Sequence, residues 1–155
     1  MDADKKILLL DLNGTLCYRT YNPETKERGV VIRPFALEVI TELSQHYTLG
    51  IVTSMKLPNA KYILYALSPK WKAYFKYVFD STYCVPTPTD EDPYLLSRDL
   101  NKIMETLKCD KSNVTFVDND FHKYLEEGYN VRVVSTFDAT VENDTELLRI
   151  RDELL

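Results

Sequence analysis

Ile7–Leu12, Leu49–Thr53, Val114–Val117 and Val131–Val134 are short, dominantly apolar runs. A strand with one face in water alternates polar and apolar residues. Runs like these instead read as strands buried on both faces, as in a parallel sheet. Helical spacing fills the intervals. Phe35, Val39, Ile40 and Leu43 recur behind Pro34, which suits a first helical turn. Ala60, Ile63, Leu64 and Leu67 mark a second helix, Leu95–Leu107 a third, Phe121–Glu127 a short fourth stopped by Gly128, and Thr145–Leu154 a last one. Trp71, Tyr74, Phe75 and Tyr77 form an aromatic packing cluster at helical spacing. This alternation predicts an α/β fold: a doubly wound, mainly parallel, Rossmann-like sheet with right-handed crossovers.

Two segments break the pattern. Cys17–Arg33 carries Asn22-Pro23 between strand-like halves and predicts a short β-hairpin flap. Val85–Pro93 holds Pro86, Pro88 and Pro93 with Asp90, Glu91 and Asp92, and predicts an exposed acidic loop. Neither has the length of a large cap domain, so residues 1–155 are expected to form a single domain. With 45% hydrophobic and 28% charged residues the chain supports a core rather than disorder. Its net charge of −5 argues against a nonspecific nucleic-acid binder. The apolar start after Lys5-Lys6 is too short to span a membrane. Cys17, Cys84 and Cys109 have neither zinc-finger nor redox spacing. Reduced thiols and a cytoplasmic or nuclear location are expected, with no membrane contact.

In open parallel sheets, ligands bind at the carboxyl ends of the strands. Asp11, Thr53 and Asp118 each end an apolar run. In Asp11-Leu12-Asn13-Gly14-Thr15 the aspartate can attack phosphorus, Gly14 permits a tight turn, and backbone amides can bind phosphoryl oxygens. Thr53-Ser54 offers hydroxyls and amides for a phosphate, and Asp118-Asn119 offers the hard oxygens that magnesium prefers. Each motif alone is weak; three strand ends converging on one crevice are not.

These motifs, in this order, resemble the haloacid dehalogenase superfamily. Within it the chain is most similar to the phosphatases of the RNA polymerase II C-terminal domain and NLI-interacting factor. Arg33-Pro34, "LGIVTS" at residues 49–54, "YCV" around Cys84, "RDL" at Arg98–Leu100, "VDN" at Val117–Asn119 and "FDATVENDTEL" at residues 137–147 carry that likeness. The resemblance implies Asp11 as nucleophile, Thr53 and Ser54 as phosphate ligands, and Mg2+ held by Asp11, the Asn13 carbonyl, Asp118 and Asn119. It implies a phosphoserine or phosphothreonine protein as substrate.

Three positions depart from the family pattern. The second aspartate of the first motif, which protonates the leaving alkoxide and activates water, is Asn13 here. The family lysine before "DL" is Arg98, which is expected to take over its place at the phosphate. A family arginine has no counterpart near Phe79-Asp80. Lys56 or Lys102 could restore a lost charge. The expectation is a magnesium-dependent phosphatase attenuated by Asn13 and Arg98. The alternative is an inactive pseudophosphatase that holds a phosphorylated protein or assembles a complex. An acidic loop beside the site would favour basic phosphopeptides.

Overall fold

The structure is a computed structural model that describes residues 5–126 and 128–155. At its centre lies β1 (Ile7–Asp11), an apolar strand buried at every position. On one side it pairs in parallel with β4 (Thr48–Val52), and on the other with β8 (Val114–Asp118). β5 (Phe75–Phe79) and β9 (Asn130–Val133) close the edges, giving the all-parallel order β5-β4-β1-β8-β9. The alternating side chains of β1 serve two cores. Leu8 and Leu10 pack with the apolar stripes of α1 (Ala36–Leu43), α2 (Leu57–Leu67) and α5 (Glu146–Leu154). Leu9 faces the other way, toward Phe116 and toward Leu100, Ile103 and Leu107 of α4 (Leu100–Leu107). The sheet is therefore wound on both faces, as expected.

Gly50 lets that second face close. A Cβ there would stand 2.6 Å from a Leu9 methyl and 3.0 Å from the Tyr77 Cβ, so only a bare backbone admits both.

The flap is present as the antiparallel hairpin β2 (Cys17–Asn22) and β3 (Glu27–Ile32). A second ribbon pairs β6 (Cys84–Pro86) with β7 (Leu96–Arg98), and the acidic loop runs between them.

Three expectations need correction. The aromatic cluster does not continue as a helix: α3 covers only Trp71–Tyr74, and Phe75 begins a strand, because β4 offers an unpaired edge that Phe75–Phe79 completes. The helix expected over Leu95–Leu107 starts only at Leu100. Leu96–Arg98 are a strand, and Asp99 caps the helix by accepting from the Lys102 N–H at 3.2 Å. The fourth helix shrinks to a 3-10 turn, Phe121–Lys123, capped by Asp120 accepting from the His122 N–H. Glu127, within that expected helix, lies outside the described residues. The cysteines form no disulfide among the described residues. No helix of the described residues is long and apolar enough to cross a membrane.

Candidate active site

β1, β4 and β8 end side by side: Asp11 and Asp118 are the last residues of β1 and β8, and Thr53 directly follows β4, so the three meet at one end of the sheet. A cavity of about 420 Å³ opens there, lined by Asp11, Asn13, Thr53, Ser54, Lys56 and Lys123 among others. The loop after Asp11 is tight. Leu12 O accepts from the N–H groups of Thr15, Leu16 and Cys17, and Gly14 sits at φ 89°, where a side chain would be strained. Gly14 is also a space-keeper: a Cβ would lie 2.6 Å from the Asn119 amide nitrogen.

Behind the cavity lies a buried charge cluster. Arg98 Nη2 donates to Asp11 Oδ1 at 3.1 Å and to Asp118 Oδ2 at 2.9 Å. Arg98 Nη1 donates to Ser54 Oγ at 3.2 Å, and Tyr124 OH donates to Asp118 Oδ2 at 2.8 Å. Two carboxylates thus share one guanidinium. Burial, then the neighbouring Asp118 charge, pushes the Asp11 carboxyl up to about 7 despite the opposing pull of Arg98. Burial would lower the Arg98 pKa, but Tyr124, Asp11 and Asp118 outweigh it and hold the group well above its usual range. Burial, then Asp118, raises the Tyr124 phenol, which stays a hydrogen-bond donor. Burial, then Asp11, pushes the Cys17 thiol up to about 12 and leaves it unreactive.

Arg98 was expected to touch phosphate, but it is only 2% exposed and does not line the cavity. Its Nη groups face Asp11, Asp118, Ser54 and the Cys84 sulfur. Asp118 was expected as a metal ligand, but both its oxygens are engaged, Oδ1 by the Asp120 N–H at 3.0 Å and Oδ2 by Arg98 and Tyr124. Lys102 points elsewhere, its Nζ donating to Thr82 O. The loop residues Asp90–Asp92 line neither the cavity nor the groove beside it.

Asn119 has two ways to sit. With its NH2 inward it donates to Asp11 Oδ2 at 2.9 Å and Asp118 Oδ1 at 3.2 Å, and its oxygen accepts from Thr136 Oγ1 at 3.1 Å. Turned over, its nitrogen donates to the same Thr136 hydroxyl at 3.1 Å, and its oxygen faces Asp11 and accepts from Thr15 Oγ1 at 3.4 Å. The second orientation sets two oxygens side by side and suits a cation between them. Adjacent ligands of an octahedral magnesium bound at about 2.0–2.1 Å lie about 2.8–3.0 Å apart. The Asn119 amide atom and Asp11 Oδ2 have that spacing, 2.9 Å. The donor set fits the ion.

Asn13 is exposed in the cavity wall, its Oδ1 accepting from the Arg19 N–H at 3.1 Å. The crevice is braced from below by Arg33, which is 2% exposed. Its Nε donates to both oxygens of Asp144 at 3.2 and 3.1 Å, and its Nη1 donates to Thr15 O at 3.2 Å and Ser135 O at 2.8 Å. Sequence reading assigned no role to Tyr124, Thr136, Lys123 or Arg19. No motif marks them, because they come from turns and the flap, which only the fold brings to the strand ends.

A parallel sheet of this order, a hairpin flap and a carboxylate crevice at the strand ends define the class: a haloacid dehalogenase-type phosphatase fold. A family profile for the NLI interacting factor-like phosphatases matches residues 6–155, and the chain belongs to that family. Among solved structures it is similar to Fcp1, an essential RNA polymerase II CTD phosphatase, with 15% identity and TM-score 0.65 over 97% of this chain and 49% of that one. An arginine variant of the fission yeast Fcp1 bound to beryllium fluoride gives 15% identity and TM-score 0.59, over 96% of this chain and 49% of that one. A haloacid dehalogenase family enzyme from Bacteroides thetaiotaomicron, in complex with magnesium and inorganic phosphate, gives 13% identity and TM-score 0.63, over 88% and 98%. The chain spans about half the length of the Fcp1 chains, and at these identities the likeness shows the fold alone. No curated protein matches it in sequence.

Proposed function

We propose that this chain forms one domain that acts as a magnesium-dependent phosphatase on phosphoserine or phosphothreonine proteins, in cytoplasm or nucleus, with turnover attenuated at Asn13. The observation that carries the reading is the Asp11 carboxylate at the cavity floor, held by Arg98 and placed 2.9 Å from the Asn119 amide. Asp11 is the nucleophile: one oxygen attacks phosphorus, the P–O bond to the substrate oxygen breaks, and an aspartyl phosphate forms. Water then cleaves it to inorganic phosphate. Thr53, Ser54 and the two cavity lysines, Lys56 and Lys123, hold the phosphoryl oxygens. Asp11, the Asn13 carbonyl and Asn119 would hold magnesium, which supplies charge neutralisation at those oxygens. Asp118 supports the set through Arg98.

Arg98 positions Asp11 rather than binding phosphate itself. Its Nη2 donates to Asp11 and Asp118 alike, and its charge pulls the Asp11 carboxyl down against burial and against Asp118.

Asn13 can neither protonate a departing serine alkoxide nor activate water. Asn13→Asp is isosteric and keeps the Arg19 N–H bond, leaving one carboxylate oxygen for the cavity. It is expected to raise the rate on phosphopeptides by ~10²–10⁴, the usual range for general acid–base catalysis. The gain on an aryl phosphate is smaller, because that leaving group departs without a proton. The assay is phosphate release from both substrates, with and without magnesium. No magnesium-dependent turnover by Asn13→Asp combined with Arg98→Lys sinks the enzyme reading. The second reading, a pseudophosphatase that binds phosphoproteins without turnover, is favoured by the same Asn13. It is separated by trapping: a slow enzyme forms a phosphoenzyme from an aryl phosphate, and a binding module does not.

A further inference from the structure

A second hollow, of about 920 Å³, runs from the site between the β2–β3 hairpin and α2. It is continuous with the phosphate cavity, since Asn13, Arg19 and Asn59 line both. Its walls carry Arg19, Arg28, Tyr21 and Tyr62, and among the described residues no acidic one lines it. This is a local reversal of sign on a chain of net charge −5. The hairpin register explains the arrangement. Arg19 pairs with Val30 and Tyr21 with Arg28, so both arginines and Tyr21 stand on one face of the ribbon. Tyr21 is 58% exposed and Tyr62 57%, flanking the groove with flat, half-polar surfaces suited to a peptide backbone.

Diagonal neighbours across a hairpin lie about 7–8 Å apart, and an extended chain advances about 3.3 Å per residue. Arg28 therefore stands about two residues beyond Arg19, which itself borders the phosphate cavity.

We propose that this groove holds the substrate chain beside its phosphorylated residue and selects a second acidic group, an aspartate, glutamate or further phosphoresidue, two positions away, with Arg28 as its partner. The proposal rests on the phosphoprotein reading above and specifies its substrate class. It reverses the preference for basic peptides that the acidic loop suggested, because the loop lies away from both cavities and the hairpin arginines do not.

The test is fluorescence anisotropy with labelled phosphoserine peptides and magnesium. The peptides carry glutamate, alanine or lysine two residues from the phosphoserine, on either side. The glutamate peptide is expected to bind about fivefold tighter than the alanine peptide on one side only, the upper range for an exposed ion pair, and the gap closes in high salt. A second phosphoserine widens the gap, since it carries nearly twice the charge. Arg28→Ala abolishes the gap and leaves the alanine peptide's affinity unchanged; Arg28→Lys retains part of it. Arg28 is exposed, so neither variant threatens folding. Equal binding of glutamate and lysine peptides, or a gap that survives Arg28→Ala, overturns the proposal while the phosphoprotein reading stands. Failure of every phosphopeptide, the alanine one included, overturns both. Displacement of the glutamate peptide by a single-stranded oligonucleotide at lower concentration than by unlabelled peptide also overturns it, in favour of nucleic acid.

Discussion

Removing Arg98 is the most direct perturbation of the buried cluster. Its guanidinium is 2.9 Å from one buried carboxylate and 3.1 Å from another, and Arg98→Met leaves both without their cation. Breaking a buried ion pair from one side costs about 3–5 kcal/mol. Here the cluster has an escape. Asp11 already sits near 7 with Arg98 pulling it down, so without Arg98 its pKa climbs further and it takes up a proton at neutral pH. One charge is then left rather than two, and the cost falls at the low end, about 3 kcal/mol. For a chain of this size, that is roughly 6–12 °C in Tm. Urea unfolding followed by Trp71 fluorescence measures it. Arg98→Lys keeps the charge but not the planar fork, and is expected to lose about 1 kcal/mol. A loss under 1 kcal/mol for Arg98→Met at pH 7 would refute the reasoning, since it would mean that the two carboxylates do not need the guanidinium to stay buried.

Asp144→Asn leaves the Arg33 guanidinium buried with neutral acceptors only, and is expected to cost about 3–5 kcal/mol in the same unfolding assay. Gly14→Ala combines a positive-φ backbone with a 2.6 Å clash against Asn119; it should cost about 1–3 kcal/mol and weaken magnesium binding by calorimetry. Glu146 is held at about 2, first by its hydrogen bond from Arg149 and further by the Ser135 N–H. Its pKa is lower in the folded chain, so its contribution is fully present above about pH 4.5 and is lost as pH falls toward 2. The stability gap between the parent and Glu146→Gln should therefore close between about pH 4.5 and 2, measured by urea midpoints.

The central strands were legible because burial on both faces leaves no room for polar residues, so β1, β4 and β8 announce themselves as unbroken runs. β5 was not legible: Phe75, Tyr77 and Phe79 follow a short helix whose aromatic spacing runs into them, and only the free edge of β4 decides the conformation. β7 was absorbed into the next helix because Leu95, Leu96 and Leu100 mimic helical spacing, although Asp99 is the capping signal that marks the true start. Asp11, Thr53 and Asp118 could be read off as residues ending apolar runs. That Asp118 and Arg98 face each other beneath the cavity rather than into it could not, because β7 delivers Arg98 from below and Tyr124 closes over the far side.

The order β5-β4-β1-β8-β9 places the first strand in the middle of the sheet. As the chain is synthesised, β1 can take β4 as a neighbour early, but its other edge waits for Val114–Asp118, and the loop after Asp11 waits longer. Phe137 N–H donates to Gly14 O at 2.8 Å, and Asp144 receives the Arg33 guanidinium that also grips Thr15 O. At ~5–20 residues per second, Asp11 leaves the ribosome several seconds or more ahead of the segments that shape its surroundings. A nascent chain stalled before residue 114 would expose one hydrophobic edge of β1. The surroundings of Asp11 are completed by segments more than a hundred residues downstream of it.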